Sequence, residues 1–255
     1  MLDHLSGISN YCFRWCERCP FTRRCAVYSL GEQTADRQKF TLPAAFPALS
    51  GSYADFQRRL DLELQREGSS LLTIETEPAL TTDQLSANCQ NMVLDHLQAS
   101  AWSQQWQQSE DFENPVVQAV HELNWYIILL GPKMQRALKS EEESADPRGD
   151  FYYFDARRTA YLVVVSLARV TAAVTVLLEH GIEPRQRLLE LARRFLRLSV
   201  SLRSKLPDIS LFPRPYWDHQ PYRAEVVDFY GGKPPLNPFL EGMYAYRGER
   251  APDGT

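Results

Sequence analysis

The sequence predicts an all-α protein: an antiparallel helical bundle with an N-terminal four-cysteine metal module and an extended, proline- and aromatic-rich C-terminal arm. Three observations predict it. Apolar residues recur at steps of three and four between Ser52 and Pro207, and no stretch alternates with the period of a strand. Four of the five cysteines fall within residues 12–25. Six prolines between Pro213 and Pro238 forbid long helices there, while nine aromatics from Phe212 to Tyr246 argue against plain disorder. The expected division is a metal-binding module over residues 1–40, the bundle over 41–206, and over 207–255 an arm packed on the bundle.

Each helix has its own signal. Tyr53, Phe56, Leu60 and Leu64 share one face of a short helix that ends at Gly68. Thr81 with Asp83 and Gln84 resembles a capping box, and Leu85, Cys89, Met92 and Val93 follow at helical spacing toward Trp102 or Trp106. Asn114-Pro115 places an N-cap before proline at the first helical position. The seam Val116, Val120, Leu123, Ile127, Leu130, Met134 and Leu138 follows, with Gly131-Pro132 expected to kink it. A polar loop is expected from Lys139 to Gly149. A long helix then runs from about Asp150 to His180-Gly181, a cation and a glycine at its C-terminus. Glu183-Pro184 opens the next, whose buried face is Leu188, Leu191, Phe195, Leu198 and Leu202.

With 255 residues, 44% apolar and 24% charged, the chain can bury a sizeable core. A net charge of -4 gives no global pull toward nucleic acid or anionic lipid. Residues 1–30 lack the apolar run of a leader, and a cytoplasmic location is expected. Ala160 to Leu178 is apolar enough to raise the question of a membrane span. It carries Arg169 at its middle and Ser166, Thr171 and Thr175 around it, so it reads as a buried central helix.

Cys12, Cys16, Cys19 and Cys25 stand in the spacing C-x3-C-x2-C-x5-C. Thiolates are soft ligands, and a four-sulfur set without histidine points to an iron–sulfur cluster or to zinc. Either gives a core of formal charge about -2 once four thiolates are counted. Arg14, Arg18, Arg23 and Arg24 surround it, expected to stabilise that charge and to lower the thiol pKa values. Only Cys16 and Cys19 form the short knuckle typical of structural zinc, which shifts the expectation toward an iron–sulfur cluster, with Zn2+ as the alternative. Cys89 sits alone on a helical apolar stripe and reads as a small buried hydrophobe.

The run Cys16-Glu17-Arg18-Cys19-Pro20-Phe21-Thr22-Arg23-Arg24-Cys25 resembles the C-terminal iron–sulfur clamp of RecB-family nucleases, a C-x2-C-P-aromatic-x3-C pattern. The resemblance implies a 4Fe–4S cluster, with Cys12 standing where those proteins use a distant upstream cysteine. It covers ten residues, and the acidic residues and lysine of the nuclease core have no counterpart in this sequence. The C-x3-C-x2-C part also resembles radical-SAM enzymes, but their strand–helix alternation is missing and a fourth cysteine would fill the open iron.

Elsewhere, a di-iron carboxylate bundle would need Glu-x-x-His pairs. Asp95-His96, His121-Glu122 and Glu179-His180 are adjacent pairs instead, whose members point about 100° apart on a helix. Arg169, in the most apolar helix, requires a carboxylate from another helix, for which Glu122 and Asp95 are candidates, and is a buried ion pair or a ligand anchor. Arg185, Arg187, Arg193, Arg194, Arg197, Arg203 and Lys205 form a solvated or internally paired face, with Glu110-Asp111-Glu113 and Glu141-Glu142-Glu143 as partners, rather than a nucleic-acid surface. The expected functions are a 4Fe–4S protein serving redox, sensing or stability, a zinc-stapled scaffold that binds a protein partner, or an enzyme with a pocket around Arg169.

Overall fold

The computed structural model describes residues 5, 8–13, 16–32, 43, 46–98, 101–144, 150–182, 184–212, 218, 222–231 and 236–239. Among these every regular element is a helix. The α-helices are α1 (Ala26–Glu32), α2 (Tyr53–Gln65), α3 (Leu71–Glu75), α4 (Thr82–Gln98), α5 (Ala101–Gln107), α6 (Pro115–Glu143), α7 (Asp150–Glu179), α8 (Arg185–Lys205) and α9 (Tyr222–Phe229). The cysteine segment is built of short 3-10 turns at Ile8–Tyr11, Cys16–Arg18 and Thr22–Arg24.

Helix α7 is the axis of the fold. Every residue from Thr159 to Leu178 is buried, as expected of a helix that is apolar all round. By length and composition it could cross a membrane, but here its apolar window is wholly enclosed by protein. It packs against α6, α8 and α2, and α4 closes the bundle against α6 and α8. The hydroxyls inside it spend themselves on the helix's own backbone: Ser166 donates to Leu162 O, Thr171 to Leu167 O and Thr175 to Thr171 O.

The helix ends follow their sequence signals. Thr81 and Gln84 form a reciprocal capping box, Gln84 N donating to Thr81 Oγ1 at 3.3 Å and Thr81 N to Gln84 Oε1 at 3.0 Å. Asn114 Oδ1 accepts from Val116 N at 2.9 Å. Gly181, at φ 65°, ends α7: its N–H reaches Leu178 O and the N–H of Ile182 reaches Leu177 O.

Two expectations are corrected, one in the loop before α7 and one in the arm. The loop placed at Lys139 to Gly149 is helical through Glu143, because α6 gains partners from α7: Arg136 and Ser140 bond Asp155, and Arg157 bonds Glu141. Apart from these corrections, helix α6 is one element through Gly131-Pro132, which a kink allows. The carbonyl that loses its partner there belongs to Ile128, whose side chain is 50% exposed, so that face of the helix is turned toward water. Of the helix expected from Thr81 to Trp102 or Trp106, Thr82–Gln98 (α4) and Ala101–Gln107 (α5) are helical, and residues 99–100 lie outside the described residues. Finally, the arm is not extended throughout. The prolines forbid a long helix but leave room for the eight residues of α9 between Pro221 and Pro234.

The arm contributes to two hydrophobic clusters. Leu206, Ile209 and Leu236 belong to the main core. Val226 and Tyr230 instead join Leu5, Ile8 and Phe21 in a separate small cluster against the cysteine segment. Tyr216, Trp217, Tyr244 and Tyr246 lie outside the described residues.

Candidate metal centre

The cysteine segment folds around itself before it meets the bundle. Cys19 N donates to Cys16 O at 3.2 Å, closing the knuckle. The Thr22 hydroxyl lies 2.6 Å from Cys16 O and 2.8 Å from Cys19 O and ties both ends of that knuckle to the next turn. Cys25 N then bonds Thr22 O at 3.2 Å, and Ser29 fastens the start of α1 to Cys25 O through both its N–H and its hydroxyl. Phe21, with no exposed surface, anchors the loop in the small cluster.

These turns bring Cys12, Cys16, Cys19 and Cys25 to the wall of one cavity. The remaining lining comes from Ile8, Ser9, Phe13, Arg18, Thr22 and Tyr28 of the same segment, from Tyr126 of α6 and Arg169 of α7, and from Tyr230 after α9. Room for water-sized molecules is about 30 Å3, within about 540 Å3 of empty space that includes the solvent at its mouth. All four cysteines are half-buried. Cys89, 1% exposed, lies in the main core, away from this wall. Burial pushes the Cys19 thiol up to about 12, and the neighbouring Cys12 and Cys16 add to the rise, against bonds from the Phe21 backbone and Thr22. A buried thiol keeps its proton at neutral pH until a metal displaces it.

The donor set fits a thiolate-bound metal group: the lining offers four sulfurs and no carboxylate or imidazole. Among the described residues no three His, Cys, Asp or Glu side chains converge closely enough to hold one metal ion. A single zinc draws its sulfurs to about 2.3 Å from one point, whereas a cubane is met by thiolates spread over its corners.

Beneath the cavity lies a buried charge network. Arg18 Nη1 donates to Glu122 Oε2 at 2.8 Å, and Arg169 Nη1 donates to Glu122 Oε1 at 3.1 Å. Arg169 also donates to the Tyr126 hydroxyl, and its Nε to Leu236 O at 3.3 Å. The Arg18 guanidinium stacks 3.8 Å over Phe46, and Arg169 sits 5.1 Å from the Phe13 ring and 4.9 Å from that of Tyr126. Burial raises the Tyr126 pKa, so its hydroxyl stays protonated. Two guanidiniums thus share one carboxylate at the cavity wall, an arrangement that favours a negatively charged occupant.

The residues singled out from sequence separate here. Arg169 and Glu122 meet. Asp95 does not join them: it is exposed and bonds Arg194 at 2.8 Å across α4 and α8. Of the four arginines expected around the sulfurs, Arg18 lines the cavity, Arg23 is exposed, Arg24 pairs with Glu225 at 3.1 Å, and Arg14 lies outside the described residues. The lowered thiol pKa expected from them is reversed at Cys19, where burial dominates. Of the α8 arginines, Arg185, Arg194 and Arg197 are paired internally, with Glu63, Glu67, Glu77, Asp95 and Glu190 instead of the two acidic stretches. His96 bonds Asn124 at 2.6 Å, His121 packs 5.2 Å from Phe112, and the exposed His180 faces Val176 O, so the three histidines stay apart.

Sequence reasoning missed Thr22, Tyr126 and Tyr230. Tyr126 had a signal, lying one turn beyond Glu122 on the apolar seam. Tyr230 reaches the site from more than 200 residues away, and nothing local marks it. The chain matches no protein-family model, no curated protein and no solved structure.

Proposed function

We propose that this is a helical iron–sulfur protein in which Cys12, Cys16, Cys19 and Cys25 hold a 4Fe–4S cluster that serves as a redox or sensing centre near the surface. The observation that carries this reading is the convergence of all four thiols on one cavity whose wall also presents Arg18 and Arg169. The ten-residue resemblance to the RecB-family clamp supports the same cofactor. It does not extend to nuclease chemistry, since among the described residues there is no strand to carry that core.

Such a cluster supplies one-electron chemistry. The chain's residues define what it would experience. Phe13, Ile8 and the ring of Tyr126 give the cavity an apolar lining that would exclude water, and the half-buried cysteines would leave a bound group within reach of an electron donor or oxidant. Arg18 and Arg169, sharing the one carboxylate of Glu122, hold positive charge at the wall that would favour the more negative state of a bound group. Anaerobically purified protein should take up an electron from dithionite, gain a paramagnetic signal and return to its starting spectrum on mild reoxidation. A colourless protein with no reducible centre contradicts the reading and favours the zinc-stapled scaffold.

A further inference from the structure

We propose, on the reading that the four cysteines hold a cluster, that α9 and the turn after it form a cluster-dependent latch, docked on the cysteine segment while the cluster is present and released when it is lost. The latch is an excursion of the chain with both ends fixed. Before it, Ile209 is buried in the main core. After it, Leu236 is buried there too, and its carbonyl accepts from Arg169 Nε. Between these anchors, the buried apolar side chains of the described residues, Val226 and Tyr230, leave the bundle and join Leu5, Ile8 and Phe21, with Cys19, Cys25 and Tyr222 packed against them.

Further ties of α9 and its turn end on the cysteine segment. The Tyr230 hydroxyl donates to the carbonyl of Arg18, inside the Cys16–Cys19 knuckle, and the Tyr230 ring lines the cavity. Glu225 accepts from Arg24 at 3.1 Å, and the Arg24 guanidinium sits 5.2 Å from the Tyr222 ring. Phe21 meets Tyr222 edge to face at 6.2 Å.

Neither partner is built to persist alone. A helix of eight residues is well below the roughly 12–15 at which isolated helices become marginal in water. The described residues from Ile8 to Cys25 form only 3-10 turns of three or four residues, tied to the bundle through Arg18 and Phe13, so metal ligation would add order that these few contacts leave incomplete. Loss of the cluster therefore loosens the surface on which α9 rests. The long helices α6, α7 and α8, buried in the main core, keep their own packing. By linkage, the docked latch must hold the cluster more tightly than the open one does.

Hydrogen exchange on the full chain, with iron and sulfide measured on the same sample, tests this. In cluster-loaded protein the amides of residues 222–231 should be protected. After chelation they should exchange at least about tenfold faster while those of α7 hardly change. Protection of α9 that is unaltered by cluster loss, or lost together with that of α7, overturns the latch. Val226→Asp expels α9 while leaving all four cysteines in place in the sequence. It should still acquire iron, but release it to a chelator at least about fivefold faster than wild type, and equal release rates overturn the latch. Wild-type protein that never contains iron and sulfide removes the cluster reading itself, and the proposal with it. That outcome is distinct from loaded protein whose α9 ignores the cluster.

Discussion

Arg18 and Glu122, 104 residues apart in the chain, are joined by a 2.8 Å ion pair in which both side chains are buried. Arg18 lies between two of the cysteines and Glu122 lies on α6, so this bond fastens the cysteine segment to the bundle. Arg169 holds the other oxygen of the same carboxylate. Glu122→Gln leaves two guanidiniums at the cavity without their anion, and stability should fall by about 3–5 kcal/mol. Arg169→Met should also destabilise, and a urea midpoint unchanged in either variant would show that the network is not closed to water.

The second prediction separates ligands from bystander. In serine variants of the five cysteines, bound metal should be lost or sharply reduced at Cys12, Cys16, Cys19 and Cys25 and should be full at Cys89. Metal analysis after anaerobic purification checks this. Full occupancy in any of the first four variants would remove that residue from the ligand set.

Stability should fall in mild acid, in part through His96. Burial, first, and the nearby Arg187 hold its pKa below the usual 6.5, against a bond to Asn124 that raises it. Between the folded value and 6.5 the unfolded chain binds more protons, so stability rises with pH there. His96 therefore contributes fully above about 6.5, and its contribution is lost as pH falls toward the folded value, at up to about 1.4 kcal/mol per pH unit. The drop in urea midpoint from about pH 7.5 to pH 5.5 should be smaller in His96→Gln than in wild type. Equal drops would show that His96 titrates alike in both states.

Much of this architecture was legible in the sequence because its signals are local. The seam from Val116 to Leu138, the Thr81–Gln84 box and the His180-Gly181 stop each act within a turn or two, and the structure realises all three. Arg169 needed a carboxylate for a reason of solvation alone, and Glu122 was one of two candidates. Choosing between Glu122 and Asp95 required knowing which face of each helix turns inward. On α4 it is the neighbouring His96 that is buried, and the step of one residue leaves Asp95 exposed. Helix α9 was illegible because its stability comes from Phe21, Leu5 and Ile8 at the other end of the chain. The same holds for Tyr230, whose place at the cavity is tertiary.

The arm should prove to be part of the folded core. Leu236 is 5% exposed in the main cluster, so Leu236→Ala should lower stability by about 2–5 kcal/mol. Ending the chain after Leu206 also removes Ile209 and Tyr230, and should give insoluble or molten protein. A soluble, cooperatively melting truncation with an unchanged midpoint would show instead that the arm is a segment for binding a partner.

The central claim is the identity of what the four thiols hold. Counting iron, acid-labile sulfide and zinc in protein purified without oxygen tests it most directly. A 4Fe–4S centre predicts about four irons and about four sulfides per chain with no stoichiometric zinc. About one zinc per chain, with neither iron nor sulfide, would contradict it.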